Sequence, residues 1–542
     1  MRRRTWAALI AVAAMVPMGA APAANVAGKA VRYFTINDAQ NRGAAIDYGY
    51  GPGVKPSRQR ARLKSGTAIL VPSGDPSVST KGAFGPTIPW PIIAIHEVLL
   101  PDGRVMSYGS NPDGNQTGQF VYDVWNPALG TGAEAHLTLP NTTRTDIFCS
   151  GQSVMWMTGE TLITGGDLTV RGSRNYSNNA TTIFSAATNT IRSADKMQFP
   201  RWYDSIVPLP NGEMLVLGGR VDLQTSAATP EVYSPWAGWR TLNGATNGDA
   251  FGDSSYPRGF NGPDGRVYLV ADYNQYEITP DGPGTITQVT GNIPVPVSNS
   301  TLPTVMFAPG KLLTVRYDNN AAYVIDINGP TPVWTPAGNI DQSRIWSSGT
   351  VLADGKVMVL GGSSSYNSLV GAAYVAQLWD PANPGVWTPG ATAAHPRLYH
   401  SNALLLPDAT VLTNGGGAPG PVINLNGEIY YPPYLYRTDG SGMPAARPIL
   451  TSAPSVMTWD QPLTLTVAAG NAINRVTFVR QGSTTHSTNL DQRFVDLPFT
   501  QSGTTVTVTM PDNWNVLLPG NWMAFVWQNG VPSVAKTVLV PS

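Results

Sequence analysis

The chain has 542 residues, 34 basic and 34 acidic side chains and a formal net charge of zero. A balanced charge disfavours a nucleic-acid partner, which would require a basic surface. Its 56 glycines and 47 prolines suit short strands joined by many turns and argue against a helical protein.

The N-terminus has the composition of an export signal. The basic stretch MRRR is followed by the apolar run TWAALIAVAAMVPMGA and by the small residues APA at 21–23. This order predicts a signal peptide over 1–23 and a secreted, extracellular protein. A retained N-terminal anchor is the alternative, although the run is short for a membrane span. No later run approaches the ~20 apolar residues that a spanning helix needs, so we expect no membrane span in the mature chain.

A repeated unit follows a predicted irregular arm over residues 24–80. Each unit has an apolar strand, a tight turn and a second apolar strand, as in HEVLLPDGRVMSYGS at 96–110. The turn positions are 56, 53, 53, 45, 45 and 54 residues apart, near the ~50-residue kelch period. They are Gly103, Gly159, Gly212, Gly265, Gly310, Gly355 and Ala409. Seven such units predict an all-β, seven-bladed kelch-type β-propeller over 81–435, and this regular spacing disfavours a β-sandwich there.

The last hundred or so residues have a different pattern. A connector rich in proline and glycine, YYPPYLYRTDGSGMPAARPI at 430–449, precedes short alternating segments such as PLTLTVAAG and RVTFVRQG. Short strands with frequent turns over this length predict an immunoglobulin-like β-sandwich, which we place at 436–542.

Residues able to do chemistry stand where three repeats begin. DIFCSGQS holds Cys149, the chain's single cysteine, FPRWYDS holds Tyr203, and HPRLYHS holds Tyr399 and His400. The last two share the pattern P-R-(W/L)-Y-(D/H)-S. Packing tyrosines and an inert buried cysteine are the simplest interpretation. His486, in a polar hairpin of the predicted sandwich that could reach over the propeller, argues against it.

The adjacent pair Tyr399 and His400 needs an explanation, because neighbouring side chains on a strand point to opposite faces. The pair follows Pro396, before regular pleating begins. Backbone angles outside the strand range there would let both side chains reach one metal ion from different directions.

These segments resemble the copper radical oxidase family of galactose oxidase and glyoxal oxidase. The matching stretches follow the family's order from about residue 80 to the C-terminus. They are DIFCSG (146–151), RWYDS (201–205), RLYHSNALLLPD (397–408), EIYYPPYLY (428–436), THSTNLDQR (485–493) and PGNWMAFVWQNGVPSVA (519–535). The family's fold is a seven-bladed propeller with a β-sandwich, as predicted above.

The resemblance implies a role for each candidate residue. Tyr203, His400 and His486 would be equatorial ligands of one copper ion, and Tyr399 the axial ligand and proton acceptor. Cys149 would be joined to the Tyr203 ring by a thioether, giving a protein-derived radical cofactor. Imidazole nitrogens and phenolate oxygens suit Cu(II). The radical supplies the second electron acceptor that a two-electron oxidation needs beside one copper ion.

The substrate is less constrained. Galactose oxidase stacks a tryptophan on its cross-linked tyrosine, and the matching positions here are Arg220 and Val221. We therefore expect an unstacked ring at Tyr203, unless another of the 15 tryptophans fills the place. The stretch RWY favours the glyoxal oxidase-like branch. Arg258, in YPRGF, is a candidate substrate contact, with an ion pair between blades as the alternative.

These observations predict a secreted, mononuclear copper radical oxidase. It would oxidise small aldehydes or primary alcohols by two electrons and reduce dioxygen to hydrogen peroxide. The alternatives are a galactose oxidase-type sugar alcohol oxidase and a non-catalytic secreted kelch scaffold. The expected partners are the small substrate and dioxygen, and the protein is predicted to be a monomer. Arg397 is expected to form a structural ion pair and His395 to lie near the site or on the surface. His96 and His136 receive no function.

Overall fold

The structure is a computed structural model, and it describes residues 74–542 except 171–172, 223, 253–254, 272–273, 291–300 and 317–318. The predicted signal peptide and most of the predicted arm lie outside these described residues. The chain divides into two units, residues 1–57 and 58–542, and the description below concerns the second. In the described ranges, no helix has the length and apolar character needed to cross a membrane.

Helices are short and few in the part of the chain that the structure describes. The α-helices are α1 (Val78–Lys81) and α2 (Gly248–Phe251). The 3-10 helices are Pro127–Leu129, Ala133–Ala135, Asn243–Ala245 and Pro433–Leu435. Nearly all other regular structure is strand, so the all-β prediction is confirmed.

Most strands belong to consecutive antiparallel sheets. Two short strands come first, β1 (Ala83–Phe84) and β2 (Ile88–Pro89). The first sheet contains β3 (His96–Leu99), β4 (Val105–Ser110), β5 (Gln116–Thr117), β6 (Val121–Trp125) and β7 (His136–Pro140). The second contains β8 (Gly151–Val154), β9 (Thr161–Thr164), β12 (Thr181–Ser185) and β13 (Thr190–Ala194), with the separate hairpin β10 (Asp167–Val170) and β11 (Ser173–Ser177) inserted.

Five further sheets follow in chain order. The third has β14 (Ser205–Pro208), β15 (Met214–Leu217), β16 (Glu231–Ser234) and β17 (Gly238–Thr241). The fourth has β18 (Arg258–Asn261), β19 (Val267–Ala271), β20 (Asn274–Thr279) and β21 (Thr285–Thr290). The fifth has β22 (Thr304–Ala308), β23 (Lys311–Val315), β24 (Ala321–Asp326) and β25 (Val333–Asn339). The sixth has β26 (Ile345–Val351), β27 (Val357–Ser363), β28 (Val375–Trp379) and β29 (Trp387–Thr392), and the seventh has β30 (Ser401–Leu405), β31 (Val411–Gly415) and β32 (Asn426–Tyr431).

The first strands of these sheets pack against one another. Strand β8 contacts β3 and β14, β14 contacts β18, and β26 contacts β22 and β30. Strand β30 also contacts β3, so the seventh sheet lies against the first. Strands β1 and β2 pair with β32 and complete the seventh sheet with residues from the start of the described region. Strands β3, β8, β14, β26 and β30 are buried along their whole length, including their polar side chains.

The remaining strands lie near the C-terminus. They are β33 (Leu450–Ser452), β34 (Leu463–Val467), β35 (Arg475–Arg480), β36 (Ser483–Thr485), β37 (Thr488–Asn489), β38 (Phe494–Leu497), β39 (Phe499–Ser502), β40 (Thr505–Val508), β41 (Gly520–Gln528), β42 (Val531–Pro532) and β43 (Lys536–Val540). Two sheets, one of β33, β34, β40 and β39 and one of β38, β35, β41, β42 and β43, enclose their own apolar core. Hairpin β36–β37 instead joins the first sheet, because β36 pairs with β3.

Every predicted turn position lies between two paired strands. Each has a left-handed backbone, with φ between 65° and 86°, and they are Gly103, Gly159, Gly212, Gly265, Gly310, Gly355 and Ala409. Glycine adopts this conformation without the steric cost of a Cβ atom, which is why DG and NG sequences mark these turns.

The double glycines that end four repeats permit a close backbone approach. A Cβ atom on Gly165 would overlap the carbonyl oxygen of Arg201, and one on Gly361 would overlap that of Arg397. Both arginines stand two residues before a site tyrosine. Because these glycines have no side chain, the backbone at Arg201 and at Arg397 can pack directly against them.

We expect Gly165→Ala to destabilise the protein by about 1–3 kcal/mol more than Gly470→Ala, because the extra atom meets rigid backbone. Both glycines have left-handed φ, 67° and 87°, but a Cβ atom on Gly470 would meet nothing within 4 Å. Comparing the two variants therefore distinguishes the cost of steric overlap at Gly165 from the cost of a left-handed backbone, which both share. Urea unfolding measures both variants, and equal losses of stability would contradict the packing argument.

Candidate metal centre

The candidate residues share a backbone conformation just before a strand or inside a tight turn. Cys149 precedes β8, Tyr203 precedes β14, His400 precedes β30, and His486 lies in the turn between β36 and β37. Their φ values are 58°, 68°, 69° and 44°. Left-handed conformations cost free energy for residues other than glycine, and they concentrate at functional sites.

This conformation explains the adjacent pair at 399–400. The rings of Tyr399 and His400 stack with centroids 3.6 Å apart and planes 26° apart, instead of pointing to opposite faces. Both rings also contact the His486 ring, at centroid distances of 5.3 Å and 4.4 Å. The structure therefore brings the pair together with a histidine from the C-terminal region.

The two tyrosines meet at their hydroxyl groups, which are hydrogen-bonded to each other. The Tyr203 ring contacts the His486 ring edge to face at 5.0 Å. Tyr203 and Tyr399 are partly exposed, whereas His400 and His486 are each only 1% exposed. The two tyrosines thus keep some exposed surface, whereas the two histidines keep almost none.

Cys149 completes the group and is fully buried. Its Sγ atom lies 3.5 Å from Nε2 of His486. Its carbonyl oxygen accepts a hydrogen bond of 2.7 Å from the backbone N–H of Tyr203, and the Tyr203 side chain packs against the apolar cluster that contains Cys149. Donor atoms of Cys149, His400 and His486 lie within 4.8 Å of one another, a spacing that fits a metal ion.

The histidines are arranged to offer lone pairs to the centre. Nδ1 of His400 donates to the carbonyl oxygen of Gly417 at 2.7 Å, which leaves Nε2 as the free acceptor. That Nε2 atom is buried and has no hydrogen-bond partner. Nδ1 of His486 is hydrogen-bonded to the hydroxyl of Thr485. Burial lowers the pKa of His400 to about 3 and that of His486 well below its ordinary value, so both rings are neutral.

The phenols need a cation to ionise here. Burial raises the pKa of Tyr203 and Tyr399 well above the ordinary value. Two neutral imidazoles and two phenols form the mixed nitrogen and oxygen set that Cu(II) prefers. The residues present therefore fit a copper ion.

An indole ring covers Tyr203, and the expected unstacked ring is wrong. Trp202 stacks on Tyr203 with centroids 4.1 Å apart and planes 23° apart. The left-handed φ of Tyr203 turns the two neighbouring side chains to the same side. Arg220, which occupies the matching position, pairs its backbone with Trp202 through two hydrogen bonds of 2.9 and 2.6 Å. The stacking tryptophan, Trp202, is therefore not at position 220 but on the segment whose backbone pairs with Arg220.

Comparison with known proteins agrees with this geometry. A family model for the galactose oxidase-like, Early set domain matches residues 447–540. Galactose oxidase of Gibberella zeae is 26% identical over 500 residues, which cover 85% of this chain and 70% of the relative. Aldehyde oxidase GLOX1 of Arabidopsis thaliana is 23% identical over 548 residues, covering 84% of this chain and 86% of the relative.

A solved structure is also similar over most of the chain. It is a novel fungal alcohol oxidase with catalytic diversity among the AA5 family, in complex with copper. The TM-score is 0.74 at 26% identity, with 85% of this chain and 100% of that chain covered. Together these comparisons support the copper radical oxidase family for this chain. These relatives include galactose, aldehyde and alcohol oxidases, so membership leaves the substrate open.

Arg258 is buried, which corrects its expected contact with substrate. The side chain is 3% exposed. Its guanidinium donates to the carbonyl oxygens of Tyr256 and Leu302, both at 2.8 Å, and of His486 at 3.4 Å. Arg258 therefore supports the backbone that carries His486 and does not face the opening.

We expect Arg258→Met to lower the affinity for Cu(II) about tenfold or more, as the loss of supporting contacts around metal ligands does. Methionine keeps most of the apolar part of the side chain but has no N–H group to donate to the His486 carbonyl oxygen. Arg266→Met is the control, because Arg266 lies in the turn between β18 and β19 and forms a surface ion pair with Asp264. Titration of copper-free protein with Cu(II) measures both affinities, and an unchanged affinity in Arg258→Met would contradict this role.

Arg397 forms the structural ion pair expected from the sequence. Its guanidinium lies 3.1 Å from Glu428 and donates to the carbonyl oxygens of Gly415 and Asn426. Arg201 repeats this arrangement with Glu231 at 3.0 Å. The shared pattern P-R-x-Y thus places one buried arginine under each site tyrosine.

The other histidines have different surroundings. His395 is partly exposed and hydrogen-bonded to Thr87, and His136 is hydrogen-bonded to Asp123. His96 is fully buried, and its Nε2 atom accepts the backbone N–H of Cys149 at 3.0 Å. Sequence reasoning missed His96, although it stands at the start of the first repeat as Tyr203 and His400 do in theirs.

Proposed function

We propose that the protein is a copper-dependent oxidase that removes two electrons from small aldehydes, as their hydrates, or from primary alcohols. Dioxygen accepts the electrons and leaves as hydrogen peroxide, so an alcohol gives an aldehyde and an aldehyde hydrate gives an acid. One observation carries this proposal: two phenols, two neutral imidazoles and a thiol from distant chain positions converge at one spot. A non-catalytic scaffold has no need of this convergence.

We assign Tyr203, Tyr399, His400 and His486 as the residues that hold copper. The ion would supply a one-electron acceptor and the positive charge that stabilises phenolates. Tyr203, joined to Cys149 by a thioether, would be the second one-electron acceptor. The hydroxyl oxygen of Tyr399, which is hydrogen-bonded to the hydroxyl of Tyr203, would take the proton of the substrate hydroxyl.

The fold assignment belongs to the same proposal. The seven consecutive sheets, with β30 packed against β3, support a seven-bladed kelch-type propeller over 81–435. The two C-terminal sheets with their own apolar core support an immunoglobulin-like sandwich over 436–542 that contributes His486. Export of the protein and its monomeric state remain predictions from the sequence.

The surroundings of the centre support a small or apolar substrate. The indole of Trp346 lies 4.3 Å from the Tyr399 ring and also contacts Tyr366. Tyr366 is 59% exposed, and the loop that carries it also exposes Leu369 and Val370. Apolar groups beside the opening offer little to the many hydroxyls of a sugar. We therefore favour aldehydes and simple alcohols, although Trp202 removes the argument from an unstacked tyrosine.

Peroxide release tests the proposal. The purified protein, loaded with Cu(II), is assayed with methylglyoxal, glycolaldehyde, benzyl alcohol and galactose. We expect turnover with at least one aldehyde, slower turnover with galactose and none in copper-free protein. Peroxide from galactose alone would favour the sugar alcohol oxidase. Copper binding without peroxide from any of the four would favour the scaffold.

A further inference from the structure

His96 lies directly beneath Cys149. It is 0% exposed, and its Nε2 atom accepts the backbone N–H of Cys149 at 3.0 Å. Cys149 has a left-handed φ of 58°. The hydrogen bond therefore acts on the backbone of a strained residue whose side chain must point at Tyr203.

The contacts of His96 fix its ring in one orientation. Nδ1 lies 3.1 Å from Oε1 of Gln152, so Nδ1 carries the proton and Nε2 the lone pair. The ring stacks on Tyr108 with centroids 4.4 Å apart and planes 2° apart. Nε2 of Gln152 donates to the carbonyl oxygen of Thr484 at 3.0 Å, which links this layer to the hairpin that carries His486.

His96 is not a further metal ligand in this arrangement. The lone pair of Nε2 is used by the amide of Cys149, and the Nδ1 proton by Gln152. Within the described residues, the group of histidine, cysteine and acidic side chains spaced for a metal ion contains Cys149, His400 and His486 but not His96. A role through the backbone of Cys149 remains.

We infer that His96 is a positioning residue for formation of the Cys149–Tyr203 thioether. It holds the amide of Cys149 so that the sulfur faces the Tyr203 ring. This inference rests on the proposed function. In the reaction the S–H bond and one ring C–H bond break and a C–S bond forms. Two protons and two electrons pass to dioxygen, which leaves as hydrogen peroxide.

Three substitutions separate the hydrogen bond from general packing. His96→Phe keeps a ring against Tyr108 but removes the acceptor. In His96→Gln the side-chain amide oxygen can occupy the place of Nε2 and still accept the amide of Cys149. The side chain of His96→Asn is polar but one bond too short. The full-length protein is prepared without copper, mixed with Cu(II) in air, and followed by intact mass for the loss of two hydrogens.

We expect the cross-link to form about tenfold more slowly in the Phe and Asn variants, since one buried hydrogen bond is lost, and near the wild-type rate in Gln. The Asn and Gln pair carries the test if the Phe variant does not fold, as judged by circular dichroism. Equal rates in all variants would overturn the role of His96 but leave the proposed function intact. A wild-type protein that never loses two hydrogens would overturn both.

Discussion

Cys149→Ser is expected to abolish the two-hydrogen mass loss. Peroxide release should fall below about one-hundredth of the wild-type rate, a loss of about 2.7 kcal/mol of transition-state stabilisation. The chain has a single cysteine, and Tyr203 packs against the apolar cluster that contains it. A serine hydroxyl cannot form the thioether that donates electron density into the phenol ring. On the proposed mechanism, Tyr203 would then be harder to oxidise and would no longer serve as the second one-electron acceptor.

Intact mass and the peroxide assay, both on copper-loaded protein, measure these effects. Ser150→Ala is the matched control, because Ser150 is the next residue and its hydroxyl is hydrogen-bonded to Tyr108 at 2.8 Å. That variant should keep the mass loss. A Cys149→Ser protein that turned over at the wild-type rate would show that the oxidase works without the cross-link.

Arg201→Met should cost about 3–5 kcal/mol of folding free energy, the usual effect of leaving a buried charge unpaired. Arg201 and its partner Glu231 are both fully buried. The guanidinium also donates to the carbonyl oxygens of Gly218 and Thr229. The substitution would leave two buried carbonyl oxygens and the Glu231 carboxylate without this donor. The loss would fall two residues before Tyr203.

A surface pair of the same chemistry provides the comparison. Arg192 lies 2.9 Å from Glu160 but is 54% exposed, so Arg192→Met should cost at most about 1 kcal/mol. Urea unfolding measures both. In a double variant, Glu231→Gln should recover part of the Arg201→Met loss, because it removes the unpaired carboxylate. Similar losses from Arg192→Met and Arg201→Met would contradict a dominant burial effect.

The strand and turn pattern could be predicted because its causes are local. Alternation of apolar strands with glycine turns needs only neighbouring residues, and every predicted turn has the left-handed φ that glycine favours. The converging site residues were recognised by motif, since Tyr203 and Tyr399 share a sequence pattern. Their closeness in space is set by packing between sheets, which no short segment contains.

The predictions that were wrong or absent concern where individual side chains point. Trp202 stacks on Tyr203 because Tyr203 has a positive φ. No glycine or asparagine at position 203 indicates this conformation in the sequence. Arg258 was expected to contact substrate, but its guanidinium donates to carbonyl oxygens, one of them 228 residues away in the chain. His96 meets the amide of Cys149 across 53 residues. A single sequence gives the residue types, but it does not show which residues far apart in the chain lie in contact.

Pairing of β36 with β3 has a consequence for the order of folding. The inner edge of the first sheet stays unpaired until residues 483–485 have left the ribosome, late in synthesis. Pairing over so long a loop carries a high entropic cost and slows folding. A chain truncated before β36 would lack both the imidazole of His486, which we propose binds copper, and the strand that pairs with β3. Copper loading at the proposed centre would then require synthesis at least as far as His486.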